Sequence, residues 1–511
     1  MSEREWREAA DMRPSAVGLA AVLVIAAVLR FWALGSGIPF AVGVDEPDIM
    51  TRVVRMMKSG DLNPHFFDYP GLYFYVQLVV ACFHFVIGAI AGWWRSLDAV
   101  GPADFYLWGR AVTAVLGTLT VYVAFQIGSR WGARHALLAA ALLAFMPNHV
   151  RESHFVLTDV PATFLVALTF LLSLRAIEKG TLRAFGWAGM TAGLACATKY
   201  YGGVALLLPL LAAYLNRGAD HSRLRCALSA AGAAAVAFLV GAPYTVLDLP
   251  GFLNGFAGVM AANRPSVSFW AGFYTSLKHL LIGFWWSGFL LALAGFGLAI
   301  VRAFTGPGQA RFALAVVLLA VFFPLVAARD QIWARYLLPV VPILCVLAAV
   351  AVVSGVSLLR RFNIPRWART VLIAALTVAA LLPPAVSSVS WVQMHGRPST
   401  QSIAYGWILG NLPPGAHVAI ETRGLLLPED RYRVSYVRQL IVSDLSTYRE
   451  RGVEYLIASS QAFGAGFESP HLRPAEYAAY RRLFDQAVRV FTVSQSSDHP
   501  GPELRVFRVP R

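Results

Sequence analysis

The sequence predicts a mainly α-helical, polytopic transmembrane bundle with a small α/β domain at its C-terminus. Of its 511 residues, 57% are hydrophobic and only 14% are charged, whereas soluble domains carry about a quarter charged residues. Apolar runs recur over most of the chain, and most are long enough to cross a hydrocarbon core of about 30 Å as a helix. Hydropathy falls after residue 390, so we divide the chain into a transmembrane domain, 1–390, and a soluble extracytoplasmic domain, 391–511.

The apolar runs define twelve candidate spans. They cover residues 15–35, 71–92, 106–127, 134–150, 159–178, 184–198, 202–216, 226–245, 277–302, 311–328, 336–356 and 370–390. Clusters of Lys and Arg between spans mark cytoplasmic loops. These clusters are Arg4, Arg7 and Arg13, then Arg130 with Arg134, Lys179 with Arg183, Arg217 to Arg225, Arg302 with Arg311, and Arg360 to Arg369. They predict a multi-pass protein of the inner (plasma) membrane with a cytoplasmic N-terminus.

If residues 71–92 cross the membrane, the later loops fall on the wrong side of it. The loop assignments alternate correctly from residue 106 onward, but they conflict with the beginning of the chain if 15–35 and 71–92 both cross. We therefore interpret 71–92 as a re-entrant or interface-lying element, which leaves about eleven true spans; the alternative is twelve crossings. On the preferred topology, the loop after the first span, the loop that holds Asp159 and residues 329–335 all face the same exterior compartment.

The remaining global features exclude several classes of protein. The net charge of +15 comes from the loop clusters, and no basic stripe with interleaved aromatic residues suggests nucleic-acid binding. The four cysteines lie in apolar runs without CxxC spacing, so neither a disulfide framework nor a zinc site is indicated. No Walker motif, GxGxxG, GxSxG or HExxH is present. After residue 390, alternating segments such as HVAIET, YRVSYV, VEYLIAS and ELRVFRV predict strands.

A first group of candidate site residues follows the first span. Asp45 and Glu46 stand at a membrane boundary, where a carboxylate is costly unless it faces water or a partner. Residues 46–58 have an amphipathic pattern that suits a helix lying in the interface, and this helix would hold Asp45 at the headgroup level. Asp45 could also simply cap the helix, with Pro47 in its first turn; the two roles can coexist.

A second group lies in RESHFVLTD, where Arg151, Glu152, His154 and Asp159 occur between two apolar spans. A carboxylate here could approach Asp45 in space, and paired carboxylates allow one to act as a base while the other orients it or holds a cation. The alternatives are a helix start at Asp159, with Pro161 in the first turn, and a histidine at 154 that is satisfied by its surroundings.

A third group is cationic. Lys199 lies in ATKYYGG, Arg329 and Arg335 flank the start of a span, and Arg110 begins another. Guanidinium groups suit phosphate because their paired donors match two phosphate oxygens. They could clamp a phosphate and stabilise charge that develops on it. The alternative is an arginine that extends to the headgroups as an anchor, and we favour function most clearly for Arg335 and Lys199.

With these residues in place, residues 15–345 resemble the C-type (GT-C) membrane glycosyltransferases, and within them the protein O-mannosyltransferases and the aminoarabinose-lipid A transferases. The resemblance rests on motifs whose order and spacing together are fairly specific. These are the Asp45-Glu46 pair, YPGLYFY from Tyr69, Arg110, RESHFVLTD ending at Asp159, and RYLLPVVP from Arg335.

The resemblance implies inverting transfer of a sugar from a polyprenyl phosphate carrier to an acceptor glycan, lipid or protein. Asp45 matches the catalytic acidic position, Glu46 would assist it, and Asp159 matches the second acidic position. Lys199, Arg335, Arg329, Arg110, Tyr69 and His154 are the predicted substrate-binding residues. The resemblance also allows a divalent cation between Asp45 and Asp159, because related oligosaccharide transferases use one, whereas mannosyltransferase-like members do not need it.

Two other functions compete with a transferase. Charged residues within the membrane also mark permeation paths, so a transporter or flippase of a polyprenyl-linked glycolipid is one alternative, although the inverted repeats common among transporters are not evident. A cell-envelope assembly protein is the other. An acidic pair in an external loop, followed by a soluble domain, favours the enzyme.

Overall fold

The computed structural model of the protein describes residues 16–39, 43, 45–216, 221–262, 268–305, 308–329, 331–358, 365–421, 425–468, 470–471, 473–496 and 498–510. Several arginines on which the predicted orientation depends lie outside these described residues: Arg4, Arg7, Arg13, Arg217, Arg360 and Arg361. The orientation of the chain therefore stays a prediction.

The chain divides into two compact units. The first contains Met1–Trp32, Asp48–Gly101 and Trp108–Val389, and the second contains Ala33–Pro47, Pro102–Leu107 and Ser390–Arg511. The helices up to residue 395 are α1 Ala16–Phe31, α2 Glu46–Ser59, α3 Leu72–Ile90, α4 Tyr106–Gly128, α5 Ala133–Ala144, α6 Pro147–Glu152, α7 Asp159–Lys179, α8 Leu182–Thr198, α9 Leu207–Leu215, α10 Arg223–Gly241, α11 Tyr244–Leu247, α12 Leu249–Ala262, α13 Phe269–Phe304, α14 Gln309–Ala327, α15 Val341–Leu358 and α16 Arg366–His395. The 3-10 turns Tyr200–Leu206 and Ala334–Val340 lead into α9 and α15.

Among the described residues, eight helical stretches are long and apolar enough to cross a membrane. Shorter apolar helices accompany them at Ala16–Phe31, Ala133–Ala144, Tyr200–Leu215 and Leu249–Ala261. The prediction of a mainly α, multi-pass membrane protein is confirmed. The segment 246–276, which the sequence presents as a loop, contains the helices α11 and α12.

The helix α3 is an unbroken 19-residue helix, so its length alone permits a crossing. Its contacts join it to the start of α4. Tyr73 and Gln77 hydrogen-bond to Thr113 and to the carbonyl of Gly109, and His84 stacks on Trp108. The two helices therefore run antiparallel where they touch. Whether α3 crosses the membrane or lies at its boundary stays a prediction.

The helix α5 ends after 12 residues, earlier than the predicted span 134–150. Pro147 requires the residue before it to be extended, and Met146 is extended, so a new helix, α6, begins there. The fully buried guanidinium of Arg30 donates to the carbonyls of Leu143 and Ala144, at 3.2 Å each, and contacts Nδ1 of His149 at 3.0 Å. A cation at a helix C-terminus also complements the helix dipole. Arg30 therefore stabilises the break between α5 and α6.

The helices α7, α8 and α10 pack closely side by side in the first unit. Gly180 ends α7 with φ +66°, a conformation that favours glycine, and the side chain of the next residue, Thr181, caps α8. The helix α8 then approaches α10 so closely that a Cβ on Gly189 would lie 2.0 Å from the carbonyl oxygen of Ala230. This tight hairpin places the start of α7 and the end of α8 at the same end of the unit.

The second unit contains a five-stranded sheet. Its elements after residue 395 are α17 Thr400–Asn411, β1 His417–Glu421, β2 Arg433–Val437, α18 Leu445–Glu450, β3 Tyr455–Ser459, α19 Ser460–Glu468, α20 Pro474–Gln486, β4 Val488–Val493 and β5 Leu504–Arg508. The strand order is β2-β1-β3-β5-β4, with β1, β2 and β3 parallel and β5 antiparallel to both of its neighbours. This sheet confirms the predicted α/β character of the C-terminal region.

A buried carboxylate, Glu421, joins the carboxyl ends of the parallel strands. It accepts hydrogen bonds from the backbone N–H of Leu440 at 2.9 Å, the backbone N–H of Ser459 at 2.7 Å, and the hydroxyl of Tyr480 at 2.6 Å. Burial raises the pKa of Glu421, and these three hydrogen bonds partly oppose the rise. Because its donors come from the ends of three different segments, Glu421 is a structural link within the sheet.

Candidate functional site

The strongest polar site of the first unit is built around Asp159, the first residue of α7. Asp159 is only 2% exposed, and its Oδ1 accepts from Nζ of Lys199 at 2.7 Å and from the hydroxyl of Tyr201 at 3.0 Å. Nε of Arg335 lies 4.0 Å from the other oxygen, Oδ2. A helix N-terminus also favours a carboxylate. Asp159 is therefore both a helix start and the counterion of a buried cationic group, so the two interpretations considered for it coexist.

Tyrosine rings surround the ammonium group of Lys199. Nζ lies 5.5 Å from the ring centre of Tyr69, 5.2 Å from that of Tyr201 and 5.3 Å from that of Tyr336. Arg329 shares two of these rings, with its guanidinium carbon 5.1 Å from the ring centre of Tyr336 and 5.9 Å from that of Tyr201. Cations over aromatic faces are attracted by the ring quadrupole. The rings thus hold several cations together that would otherwise repel one another.

We call Asp159, Lys199, Tyr201, Arg329, Arg335 and Tyr336 the Asp159 cluster. It contains three cations and one carboxylate, Asp159, which pairs with Lys199 and lies 4.0 Å from Nε of Arg335. Its net charge of about two positive units, in a largely buried position, favours binding of an anion. The predicted residues Asp159, Lys199, Arg329, Arg335 and Tyr69 are thus brought together.

A loop of the first unit positions Tyr69. The side chain of Asn63 donates to Oδ2 of Asp248 at 2.8 Å, and the hydroxyl of Tyr200 donates to the carbonyl of Phe67 at 2.9 Å. Arg55 donates to the carbonyls of Asn63 and Pro64. These bonds fix residues 63–67 against the neighbouring helices, so the ring of Tyr69 beside Lys199 is held in place by the loop before it.

Two other predicted residues lie deeper in the bundle. Arg110 is fully buried, with its guanidinium carbon 5.5 Å from the ring centre of Phe155. The ring nitrogens of His154 lie 2.9 Å and 3.0 Å from the carbonyl oxygens of Val150 and Trp32. Burial lowers the pKa of His154 to about 4, so the ring is neutral and only one of its nitrogens can donate. These contacts match the alternative considered for His154, a histidine satisfied by its surroundings.

Asp45 and Glu46 belong to the second unit. Asp45 is half-buried and directly precedes α2, the position expected for a capping residue, while Glu46 is fully buried and its Oε2 accepts from the backbone N–H of Gly43 at 2.5 Å. The predicted helix 46–58 is confirmed as α2, with Ile49, Val53 and Met56 buried. The approach of Asp45 to Asp159 stays a prediction.

The surroundings of Asp159 do not suit a divalent cation. Its Oδ1 already faces an ammonium group and a hydroxyl donor, and a guanidinium flanks Oδ2. Calcium and magnesium need several oxygen ligands free to face the ion. No group of three or more His, Cys, Asp or Glu side chains that could hold a metal occurs in the described part of the chain.

Two tyrosines of the Asp159 cluster were not among the predicted residues, and Glu152 was named without an assigned role. Tyr336 directly follows Arg335 in RYLLP, and Tyr201 lies two residues after Lys199 in KYYGG, so an aromatic residue beside a predicted phosphate-binding cation was the available signal. Glu152, in RESHFVLTD, is 3% exposed and interacts electrostatically with Asp159 and Arg335. A buried carboxylate in a turn between spans was the signal for it.

Comparisons with known proteins agree with this geometry. Residues 107–247, which include Asp159, Lys199 and Tyr201, match the family model described as dolichyl-phosphate-mannose-protein mannosyltransferase. No curated protein sequence matches the chain. The family-model match supports a membrane glycosyltransferase.

Solved structures show the same fold. ArnT from Cupriavidus metallidurans bound to undecaprenyl phosphate is 17% identical, with a TM-score of 0.57 over 97% of this chain and 99% of that one. The apo oligosaccharyltransferase from Archaeoglobus fulgidus is 12% identical, with a TM-score of 0.55 over 96% of this chain and 76% of that one. The chain therefore has the GT-C fold, and its resemblance to the C-type membrane glycosyltransferases is confirmed.

Proposed function

We propose that this protein transfers a sugar from a polyprenyl phosphate carrier to an acceptor glycan, lipid or protein at the outer face of the inner membrane, with inversion at the anomeric carbon. The observation that carries the proposal is the positive excess of the Asp159 cluster, where Lys199 and Arg335 face the carboxylate of Asp159 and Arg329 lies over neighbouring tyrosine rings. A phosphate that bears a lipid chain is an anion suited to a cationic cluster within an apolar bundle. The similar ArnT structure, bound to undecaprenyl phosphate, supports this choice of ligand.

In the proposed reaction, a carboxylate activates the acceptor while cations stabilise the departing phosphate. Asp45 takes the proton of the acceptor hydroxyl as its oxygen bonds to the anomeric carbon, and Glu46 assists. The bond from this carbon to the carrier phosphate breaks, and the phosphate leaves with the electron pair. Lys199 and the arginines of the Asp159 cluster neutralise the charge that develops on it. Direct displacement inverts the configuration and needs no covalent enzyme intermediate.

Binding of undecaprenyl phosphate to the full-length protein in nanodiscs tests the phosphate site. Arg329→Gln removes a guanidinium that has aromatic neighbours but no carboxylate partner among the described residues. Loss of one charge-assisted contact costs about 1.5–3 kcal/mol, so we expect the affinity to fall about tenfold to a hundredfold. The matched control is Arg397→Gln, whose arginine pairs with Asp498 in the second unit. Equal affinity in the Arg329 variant and the control would contradict the proposed site.

A separate measurement tests Asp45. Asp45→Asn should stop transfer of radiolabelled sugar from the carrier while undecaprenyl phosphate still binds, because the amide cannot take the proton. If the purified variant transfers sugar at the original rate, Asp45 is not the base. Mass spectrometry of lipids that copurify with the wild-type protein would identify the donor, and recovery of a polyprenyl phosphate sugar is the expected result.

A further inference from the structure

Glu152 is an acid whose position the fold does not explain. It is 3% exposed and ends the short helix α6. Its Oε1 accepts from Nε and Nη2 of Arg151, at 2.9 Å and 2.6 Å, while the side chain of Arg151 is about half exposed. This ion pair joins two consecutive residues, so it ties no two elements of the fold together.

Three features make Glu152 costly. A buried carboxylate loses hydration, a negative charge at a helix C-terminus opposes the helix dipole, and Asp159 is a like charge nearby. Burial raises the pKa of Glu152, Asp159 adds to the rise, and Arg151 and Arg335 oppose it. Acids kept in such surroundings without a structural partner are candidates for contact with a ligand.

The surroundings of Glu152 contain neutral polar groups as well as cations. The helix α6 packs against the turn 334–340, which carries Arg335 and Tyr336. One turn before Glu152 on the same helix, Asn148 lines a small crevice of about 10 Å³ between α6, α13 and residues 334–341. His279 lines it from α13, and apolar side chains such as Met146 and Phe284 complete the wall. Asn148 thus places a neutral amide one turn from Glu152, and an amide can hydrogen-bond to hydroxyl groups.

We infer that Glu152 is a further substrate-binding residue, which accepts a hydrogen bond from a hydroxyl group of the sugar on the carrier. This inference rests on the proposed function. The described contacts of Glu152 engage Oε1, so Oε2 is the oxygen that accepts. A carboxylate repels the phosphate but binds a hydroxyl, and the cations of the Asp159 cluster serve the phosphate. The sugar would then contact α6 at Glu152, with its phosphate toward Arg335.

The test compares two probes on the full-length protein in nanodiscs: undecaprenyl phosphate, and a panel of undecaprenyl phosphate hexoses and pentoses. Glu152→Ala should weaken binding of the best sugar-bearing carrier about tenfold to a hundredfold, the loss expected for a hydrogen bond to a charged group. Binding of undecaprenyl phosphate should not weaken, because the variant removes a carboxylate that repels the phosphate. Glu178→Ala is the matched control, because Glu178 is an exposed glutamate that pairs with Arg130.

Several outcomes would overturn the inference. One is an equal loss for both probes in the Glu152 variant, which would indicate that Glu152 supports the phosphate site; another is no loss for either. A wild-type protein that binds none of the sugars more tightly than undecaprenyl phosphate also contradicts it. If Glu152→Ala does not fold, Glu152→Asp, which withdraws the charge by one methylene group, should show the same selective loss. Failure of the proposed function would appear separately, as unchanged binding of undecaprenyl phosphate in Arg329→Gln.

Discussion

Replacing Asp159 by asparagine is the sharpest perturbation of the Asp159 cluster. The change keeps the shape of the side chain and one acceptor oxygen, but it removes the carboxylate that pairs with Lys199 and lies 4.0 Å from Arg335. Lys199 is 7% exposed, so its charge would stay buried after this ion pair is lost. Breaking a buried ion pair in this way costs about 3–5 kcal/mol. Because the asparagine oxygen can still accept from Lys199 and Tyr201, we expect about 3 kcal/mol.

Thermal unfolding of the purified protein in one detergent, at a fixed scan rate, measures this loss. About 3 kcal/mol corresponds to a decrease in apparent Tm of roughly 5 °C for a large domain. Lys199→Met in the Asp159→Asn background should recover part of the loss, because it removes the buried charge that faced Asp159, and contacting residues show coupling energies of about 0.5–3 kcal/mol. Glu178→Gln is the control, since an exposed pair contributes about 0–1 kcal/mol.

A second prediction for Asp159→Asn concerns binding of the carrier. The net charge of the Asp159 cluster rises by one unit, so undecaprenyl phosphate should bind more tightly, by about 1 kcal/mol or fivefold, while sugar transfer falls. If Asp159→Asn is as stable as the control Glu178→Gln, the buried ion pair is refuted. If its affinity for the carrier is also unchanged, the charge excess from which the phosphate site is argued is refuted as well.

Three further predictions concern the fold. Gly189→Ala places a Cβ 2.0 Å from a backbone oxygen of α10, so it should destabilise the bundle by about 1–3 kcal/mol. Gly232→Ala has open space around it and should stabilise α10 by about 0.5–1 kcal/mol. Thermal unfolding compares the two variants. Arg30→Met leaves the carbonyls at the end of α5 unpaired and should lower stability by about 2–3 kcal/mol, with reduced transfer in the radiolabel assay. The pKa of Glu421 is raised on folding, so the folded state holds this proton more tightly than the unfolded state. The second unit should therefore lose stability as pH rises from about 4.3, the ordinary pKa of a glutamate, through the raised value. Hydrogen exchange of the sheet should show this slope in wild type but not in Glu421→Gln.

Much of the fold could be predicted from the sequence because hydropathy alone determines which segments enter the membrane. The strands β1, β2, β3 and β5 coincide with the alternating segments HVAIET, YRVSYV, VEYLIAS and ELRVFRV. The break within 134–150 was less accessible, since the run is apolar throughout and Pro147 is the one local signal. Nothing local in the sequence indicates that Arg30, more than a hundred residues away, satisfies the carbonyls at this break.

Part of the candidate site was also open to prediction. Asp159 begins α7 and Lys199 follows α8, and two helices of similar length joined by a tight turn bring those two positions to one end. Contacts between distant segments could not be predicted, because they depend on how the helices pack. The ring of Tyr69 beside Lys199 is one example, and the place of Arg335 beside Asp159 is another.

The brevity of α5 bears on how the chain enters the bilayer during synthesis. Twelve residues rise only about 18 Å, so α5 is too short for a translocon to accept it as an independent insert. Its neighbour α4 is close enough that a Cβ on Gly128 would lie 2.9 Å from the backbone of Ala136, so the two can enter as a preformed hairpin. Arg30, synthesised earlier, is itself costly in lipid until it meets the carbonyls of α5. Arg30 and the short helix α5 therefore complete each other's burial only once both are in the bundle.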